Sequence, residues 1–246
     1  MGNGIVLPPD RVRALRRAGQ VTSRALSVWL ARAVIIGQAL FTAGWIVGGL
    51  LQDDAYSSAR DDISDLGALT AHLPWVWLLP QGIAGVLTIA FALGALRPAL
   101  SVPGHREPIG TWLAVFSLMG LDNLTDPLLR LDCRAADAGC TAAVAATSWH
   151  GTIHVVAGIV AALATVVAPF ALARRMRLLD TWRDLAPGAI VVGLAFVILT
   201  VLYAVLNGGN GSGYAQRASC VLISAGVVIL ARRVQALAGP GPRPTS

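Results

Sequence analysis

Six stretches of the chain are long, apolar and nearly free of charge, and they decide what it can fold into. They run from Ala33 to Leu51, Pro74 to Leu96, Ile109 to Asp126, Trp149 to Ala173, Ala186 to Leu206 and Tyr214 to Ala231. A helix needs roughly 20 apolar residues to cross a hydrocarbon core of about 30 Å. Backbone polar groups in lipid must be satisfied within the segment itself, which a helix achieves. The expected fold is therefore all-α, a polytopic membrane bundle of about six transmembrane helices. Only 13% of the residues are charged, against roughly a quarter in a soluble domain, too few to cover a water-facing surface.

Charge sets the expected orientation. The chain has no lysine, so its 19 basic residues are all arginine, a composition that fits a GC-rich bacterial genome. Fifteen of them flank alternate ends of the apolar runs: Arg11, Arg13, Arg16, Arg17, Arg24, Arg32, Arg97, Arg106, Arg174, Arg175, Arg177, Arg183, Arg232, Arg233 and Arg243. The remaining connections hold only Arg60, Arg130, Arg134 and Arg217. Basic loops stay in the cytoplasm, so both termini are expected there, in a multi-pass protein of the bacterial plasma membrane. The net charge of +6 is then a matter of orientation. Membrane lipids are the expected partners and nucleic acid is not. Trp75, Trp77 and Trp149 fall at the outer ends and Trp29, Trp112 and Trp182 at the inner ends, as an interfacial belt requires.

Three regions follow: a basic cytoplasmic segment over 1–32, the membrane domain over 33–231, and a cytoplasmic tail over 232–246. The tail is rich in Pro and Gly after Leu237 and is expected to be disordered. The stretch from Arg11 to Arg32 reads either as an orientation signal or as an amphipathic helix lying on the inner leaflet. The first apolar run starts only at Ala33 and leads into further spans, so it reads as an uncleaved anchor.

Acidic residues have the opposite bias. Asp53, Asp54, Asp61, Asp62, Asp65, Asp122, Asp126, Asp132 and Asp137 all map to the outer side. Asp122 and Asp126 are four residues apart, as are His150 and His154, and such pairs share a helix face. Neighbouring antiparallel helices would set two carboxylates opposite two imidazoles. Ionisable groups at membrane depth usually face the bundle interior, paired or functional. Asp122, Asp126, His150 and His154 are ligand types for zinc or another divalent ion. The carboxylates would otherwise fix a histidine as general base, or simply tie two helices together.

Two loops join them. Between Gln52 and Leu73, the run Asp61-Asp62-Ile63-Ser64-Asp65-Leu66-Gly67 reads either as a solvated loop with one cap at Ser64 or Asp65, or as a lid with Leu66 and Leu69 inserted into the bundle and Ser64, Asp65 and His72 over a pocket. Between the last two runs, Asn207-Gly-Gly-Asn-Gly-Ser-Gly213 reads as a tight reversal or, with Arg217, as a phosphate cradle. Arg217 is expected to pair with Asp65, Asp126 or an anionic lipid head. Cys133 and Cys140 share an outer loop where a disulfide is permitted, and Cys220 reads as a small buried apolar residue.

These motifs resemble a known family. Ser-Asp-Leu-Gly (64–67), Thr-Asp-Pro (125–127), Trp-His-Gly-Thr-Ile-His (149–154) and Gly-x-x-Gln-Arg (213–217) are similar, in type and order, to those of a prokaryotic six-span membrane family known as domain of unknown function 998. The resemblance runs from Ala33 to Arg233. It implies Ser64, Asp65, Asp126, His150, His154, Gln216 and Arg217 as site residues, and leaves Asp122 and the Cys133/Cys140 pair outside the pattern. A looser likeness joins the chain to zinc-dependent intramembrane hydrolases of the ceramidase and adiponectin-receptor group.

Three functions are compatible with this reading. The chain is expected to bind a lipid head group or small amphiphile in an outer polar pocket, with Ser64, Asp65, Gln216 and Arg217 as ligand-binding residues. An alternative is a metal-dependent intramembrane hydrolase or transferase acting on a lipid-linked substrate, with His150, His154 and Asp126 as catalytic residues. The third is a proton-coupled transporter or sensor.

Overall fold

The apolar runs fold as helices because nothing else satisfies their backbone. A computed structural model describes residues 9–206 and 209–239, with side chains from residue 23 onward. We label α1 Pro9–Leu50, α2 Trp75–Phe91, α3 Ile109–Val115, α4 Trp149–Met176, α5 Ala186–Leu206 and α6 Ser212–Ala238. A π turn over Ala92–Leu96 and the turn Arg97–Ala99 prolong α2. Among the described residues five helices are long and apolar enough to cross a membrane, and no strand occurs. The outer surface agrees with a lipid setting. The most apolar window of α5 has a mean hydropathy of 2.8, yet only 11% of it is buried within the protein.

The third apolar run is not one helix. After α3 the chain becomes extended at Ser117, and a π turn over Leu118–Asp122 with non-helical Gly120 leads into the single turn Asn123–Thr125. The freed backbone groups are satisfied inside the bundle: the Leu118 amide donates to Thr165 Oγ1 at 3.0 Å. Irregular backbone at membrane depth is tolerated only when shielded in this way. A Cβ added to Gly110 would sit 2.9 Å from the Leu172 amide nitrogen, and at the other end Asp126 lies 3.2 Å from His154. Those two points on α4 are eighteen residues apart, about 27 Å of helix. The broken segment therefore runs alongside most of the length of α4.

Small residues let the elements approach. Gly37, Gly44 and Gly48 of α1 face Ala84 and Leu87, Pro80, and Trp77 of α2. Gly85 sits against the backbone of the broken segment, where an added Cβ would lie 2.5 Å from the Leu124 nitrogen. Gly82 faces the Pro127 ring, 3.3 Å from an added Cβ. Small residues at such seams are how membrane helices gain dispersion contact without a hydrophobic drive between them.

The two ends of the bundle differ. At the arginine-rich end Leu30, Val34, Phe91, Leu96, Leu172, Met176, Trp182 and Val234 form a closed core. Arg97 pairs with Glu107 at 2.8 Å and lies over Trp112, Arg175 donates to the Leu100 carbonyl, and Arg233 pairs with Asp184. Toward the acidic end a second core forms around Phe41, Trp77, Met119, Phe196 and Ile223, beneath a cavity.

Several boundaries move. The division expected between residues 32 and 33 falls inside a single helix, since α1 runs unbroken from Pro9 to Leu50. The segment Arg11–Arg32 belongs to that same helix, and the side chains of 9–22 lie outside the described residues. The tail expected from residue 232 is helical to Ala238, and the rest, from residue 240, lies outside the described residues. Trp77 and Trp182 are buried core residues rather than belt residues, whereas Trp29, Trp75 and Trp149 are exposed.

Candidate functional site

The acidic loop between α1 and α2 folds down into the bundle, and α6 holds it there. Arg217 is 6% exposed. Its Nη1 donates to the carbonyls of Ser58, Asp61 and Gly213 at 2.8 to 3.0 Å, and Nη2 donates to the Tyr56 hydroxyl. The rings of Trp45 and Tyr56 lie 5.8 and 5.9 Å from the guanidinium carbon. Arg217 thus forms no ion pair among the described residues. Its expected partners Asp65 and Asp126 lie elsewhere, and backbone dipoles and ring faces replace them. Gln216 completes the grip, accepting from the Ile63 amide at 2.6 Å.

The glycine-rich loop is a reversal and not a phosphate cradle. The amides of Gly211 and Gly213 both donate to the Ala59 carbonyl, so the start of α6 is already occupied. Gly211 has φ +102°, open to glycine at little cost. A Cβ on Gly213 would strike the carbonyls of Ser58 and Asp61 at 2.6 and 2.7 Å. Asn207 and Gly208 lie outside the described residues.

Within the loop, Ser64–Gly67 forms a single 3-10 turn. Asp65 accepts from the amides of Asp62 and Ala135, each at 3.2 Å, and Asp62 accepts from the Tyr203 hydroxyl at 2.6 Å. Burial pushes the Asp65 carboxyl up to about 6 despite its two amide donors, and burial raises Asp62 as well. Leu66 is inserted as expected, but Leu69 is exposed. His72 turns to the Leu51 carbonyl, away from the cavity.

The two histidines clamp one loop strand. His150 Nδ1 lies 2.7 Å from the Arg130 carbonyl and His154 Nδ1 lies 2.7 Å from the Leu129 carbonyl. A carbonyl only accepts, so both rings carry their proton on Nδ1. His154 is also 3.2 Å from Asp126 Oδ1, while Gln81 Nε2 donates to Asp126 Oδ2. His150 Nε2 faces Asp132 at a longer 3.8 Å. The metal set expected from Asp122, Asp126, His150 and His154 is therefore split. Among the described residues no group of three or more His, Cys, Asp or Glu side chains is placed to hold a metal ion. His150 is committed to the 130–132 segment and leaves the group.

A roof closes over this end. Cys133 and Cys140 are joined by a disulfide, as expected. Buried Arg134 binds Asp137 and Asp53 at 2.6 and 2.9 Å and reaches Gln52, drawing three segments together. The guanidinium holds Asp53 below its ordinary value, and the carboxylates hold Arg134 charged. Arg130 donates to the carbonyls of Gly67 and Ala68.

Beneath the roof lies a cavity of about 550 Å³. Its polar part is lined by Asp62, Ser64, Asp65, Gln81, Asp122, Asn123, Asp126, His154, Tyr203 and Gln216. Its apolar part is lined by Phe41, Trp77, Leu118, Met119 and Phe196. Val155 and Ile159 of α4 belong to the wall and are 41% and 58% exposed. Cys220, expected as a buried apolar residue, also lines it.

A family model described as "Protein of unknown function (DUF998)" matches residues 35–233. The chain belongs to this family. No curated protein and no solved structure matches the chain. Of the residues that the DUF998 resemblance implied, Ser64, Asp65, Asp126, His154 and Gln216 line the one cavity, together with Asp122. His150 and Arg217 instead hold its walls from behind. Sequence reasoning missed Gln81, Tyr203, Arg130 and Arg134. Gln81 and Tyr203 carried a usable signal, since each is an isolated polar group within an apolar run; the two arginines carried none beyond being outer-side charges.

Proposed function

We propose that this DUF998 protein binds an amphiphile in the cavity, with the head group among the acidic-end side chains and the alkyl chain running toward the flank beside α4. One observation carries the reading: a single cavity is walled by a set of polar side chains and by a set of apolar ones. Ligand pockets are commonly of this size and lining. The charge bias of the loops supports an orientation with both termini in the cytoplasm of a bacterium and the cavity in the outer half of the plasma membrane. Arg217 is not among the residues lining the cavity, and the hydrogen bonds of its two Nη groups go to the loop and to Gly213.

The test uses a photoreactive alkyl amphiphile in proteoliposomes. Met119 and Phe196 are both 2% exposed and line the cavity, so labelling there reports entry rather than contact from bulk lipid. A Cβ on Gly158, a cavity-lining residue, meets only Asp122 Oδ1, at 4.0 Å, so Gly158→Phe is the variant chosen to fill the cavity. Labelling of Met119 and Phe196 is expected to fall about tenfold in that variant. Absent labelling in the unmodified protein, or equal labelling in both, contradicts the reading.

One observation favours a second reading, an enzyme acting on a lipid-linked substrate. His154 lines the cavity with Nδ1 fixed by Leu129 and Asp126, which leaves Nε2 as a base in a set tautomer. Asp126→Asn would then abolish turnover of a lipid ester while leaving the photolabelling intact; full turnover in that variant argues against this role.

A further inference from the structure

The cavity wall brings four carboxyl groups, on Asp62, Asp65, Asp122 and Asp126, against one basic side chain, His154. Three of the four have protein donors: Asp62 from Tyr203, Asp65 from two amides, and Asp126 from Gln81 and His154. The Asp122 carboxylate, unlike its backbone carbonyl, takes no hydrogen bond from a described residue, and its Oδ1 is the one atom within 4 Å of a Cβ built on Gly158. A second acceptor is left open on the same wall. Gln81 is 3% exposed, and its amide nitrogen faces two acceptors, Asn123 Oδ1 and Asp126 Oδ2, which fixes its orientation. The amide oxygen then has no donor.

The buried Gln81 oxygen without a donor carries a desolvation cost that a bound donor removes, and the half-buried Asp122 carboxylate offers that donor a second acceptor. No three metal-ligating side chains converge here among the described residues, so separate acceptors rather than a coordination shell await the ligand. An ammonium group supplies three N–H donors and a compensating charge in one small head.

We propose that the amphiphile is cationic, an alkyl chain headed by a primary ammonium group whose N–H groups meet Asp122 and Gln81. This rests on the amphiphile reading above and narrows its ligand class. An anionic head is disfavoured by the same wall, since it would add negative charge where dielectric screening is weak.

Three photoreactive chains, identical except for an ammonium, hydroxyl or carboxylate head, are compared in proteoliposomes of zwitterionic lipid at equal mole fraction. The ammonium form is expected to label Met119 and Phe196 about tenfold more than either other form. Asp122→Asn is expected to bring ammonium labelling down to the hydroxyl level and to leave hydroxyl labelling unchanged. Equal labelling by the ammonium and hydroxyl heads, a preference for the carboxylate, or undiminished ammonium labelling in Asp122→Asn overturns the proposal and leaves an amphiphile pocket standing. Labelling at Met119 and Phe196 by none of the three overturns the pocket as well. Should Asp122→Asn fail to fold, the ranking of heads in the unmodified chain decides.

Discussion

Arg217 illustrates how a conspicuous residue can serve a purpose that its sequence context does not disclose. An arginine alone within an apolar run announces burial, yet its partners are carbonyls, and carbonyls leave no trace in a sequence. Arg217→Ala strands the Ser58, Asp61 and Gly213 carbonyls, and should lower unfolding stability in detergent by about 3 kcal/mol. Arg217→Lys should recover less than half of this, because one ammonium cannot reproduce the planar fork; full recovery would show that charge alone matters. Asp65 gives a pH-dependent counterpart. Its carboxyl titrates at about 6 in the folded chain against an ordinary 3.8, so the folded state keeps a proton that the unfolded state releases. Stability from this group is full below pH about 4 and is lost as pH rises through 6, by about 3 kcal/mol. Comparing wild type with Asp65→Asn between pH 4 and 7 isolates it, since Asp53 and Asp132, both lowered, act only in more acid solution and in both proteins. A wild-type curve parallel to that of Asp65→Asn would contradict the assignment.

At the scale of elements, length and hydropathy placed the runs, but not the break in the third. Ile109–Asp126 contains no proline before its end, and Ser117 and Gly120 are common in membrane helices, so the extended turn has no sequence mark. Its cause is tertiary: Thr165 satisfies the Leu118 amide, and Gly85 admits the Asn123–Leu124 backbone. Gly85→Leu should therefore destabilise by more than about 2 kcal/mol, measured by thermal unfolding, while Gly158→Phe should leave the midpoint nearly unchanged. The roof follows a rule that was legible, two cysteines in one outer loop. Removing the bridge by Cys133→Ser releases a closed loop with a sequence separation of 7, worth about 2 kcal/mol by chain entropy. Faster proteolysis within 133–148 in that variant would report it; unchanged proteolysis would show that Arg134 alone holds the loop.

For the whole molecule, the uneven charge at the two ends was the most informative sequence signal, because it gathered the acidic residues at one end before any contact was known. What it left out was the division of labour there. His150 and His154 look equivalent in sequence, but only His154 lines the cavity, and Arg217 stands behind the wall. The orientation is checked with reporter fusions: alkaline phosphatase joined after residue 140 should be active and after residue 180 inactive, and the reverse pattern would invert the topology. The central claim is that the acidic-end cavity holds an amphiphile. Native mass spectrometry of protein extracted in mild detergent addresses it most directly. Wild type should retain a bound amphiphile as a discrete mass addition that Gly158→Phe lacks at equal folding; a bare wild-type mass, or the same addition on both proteins, would contradict the claim.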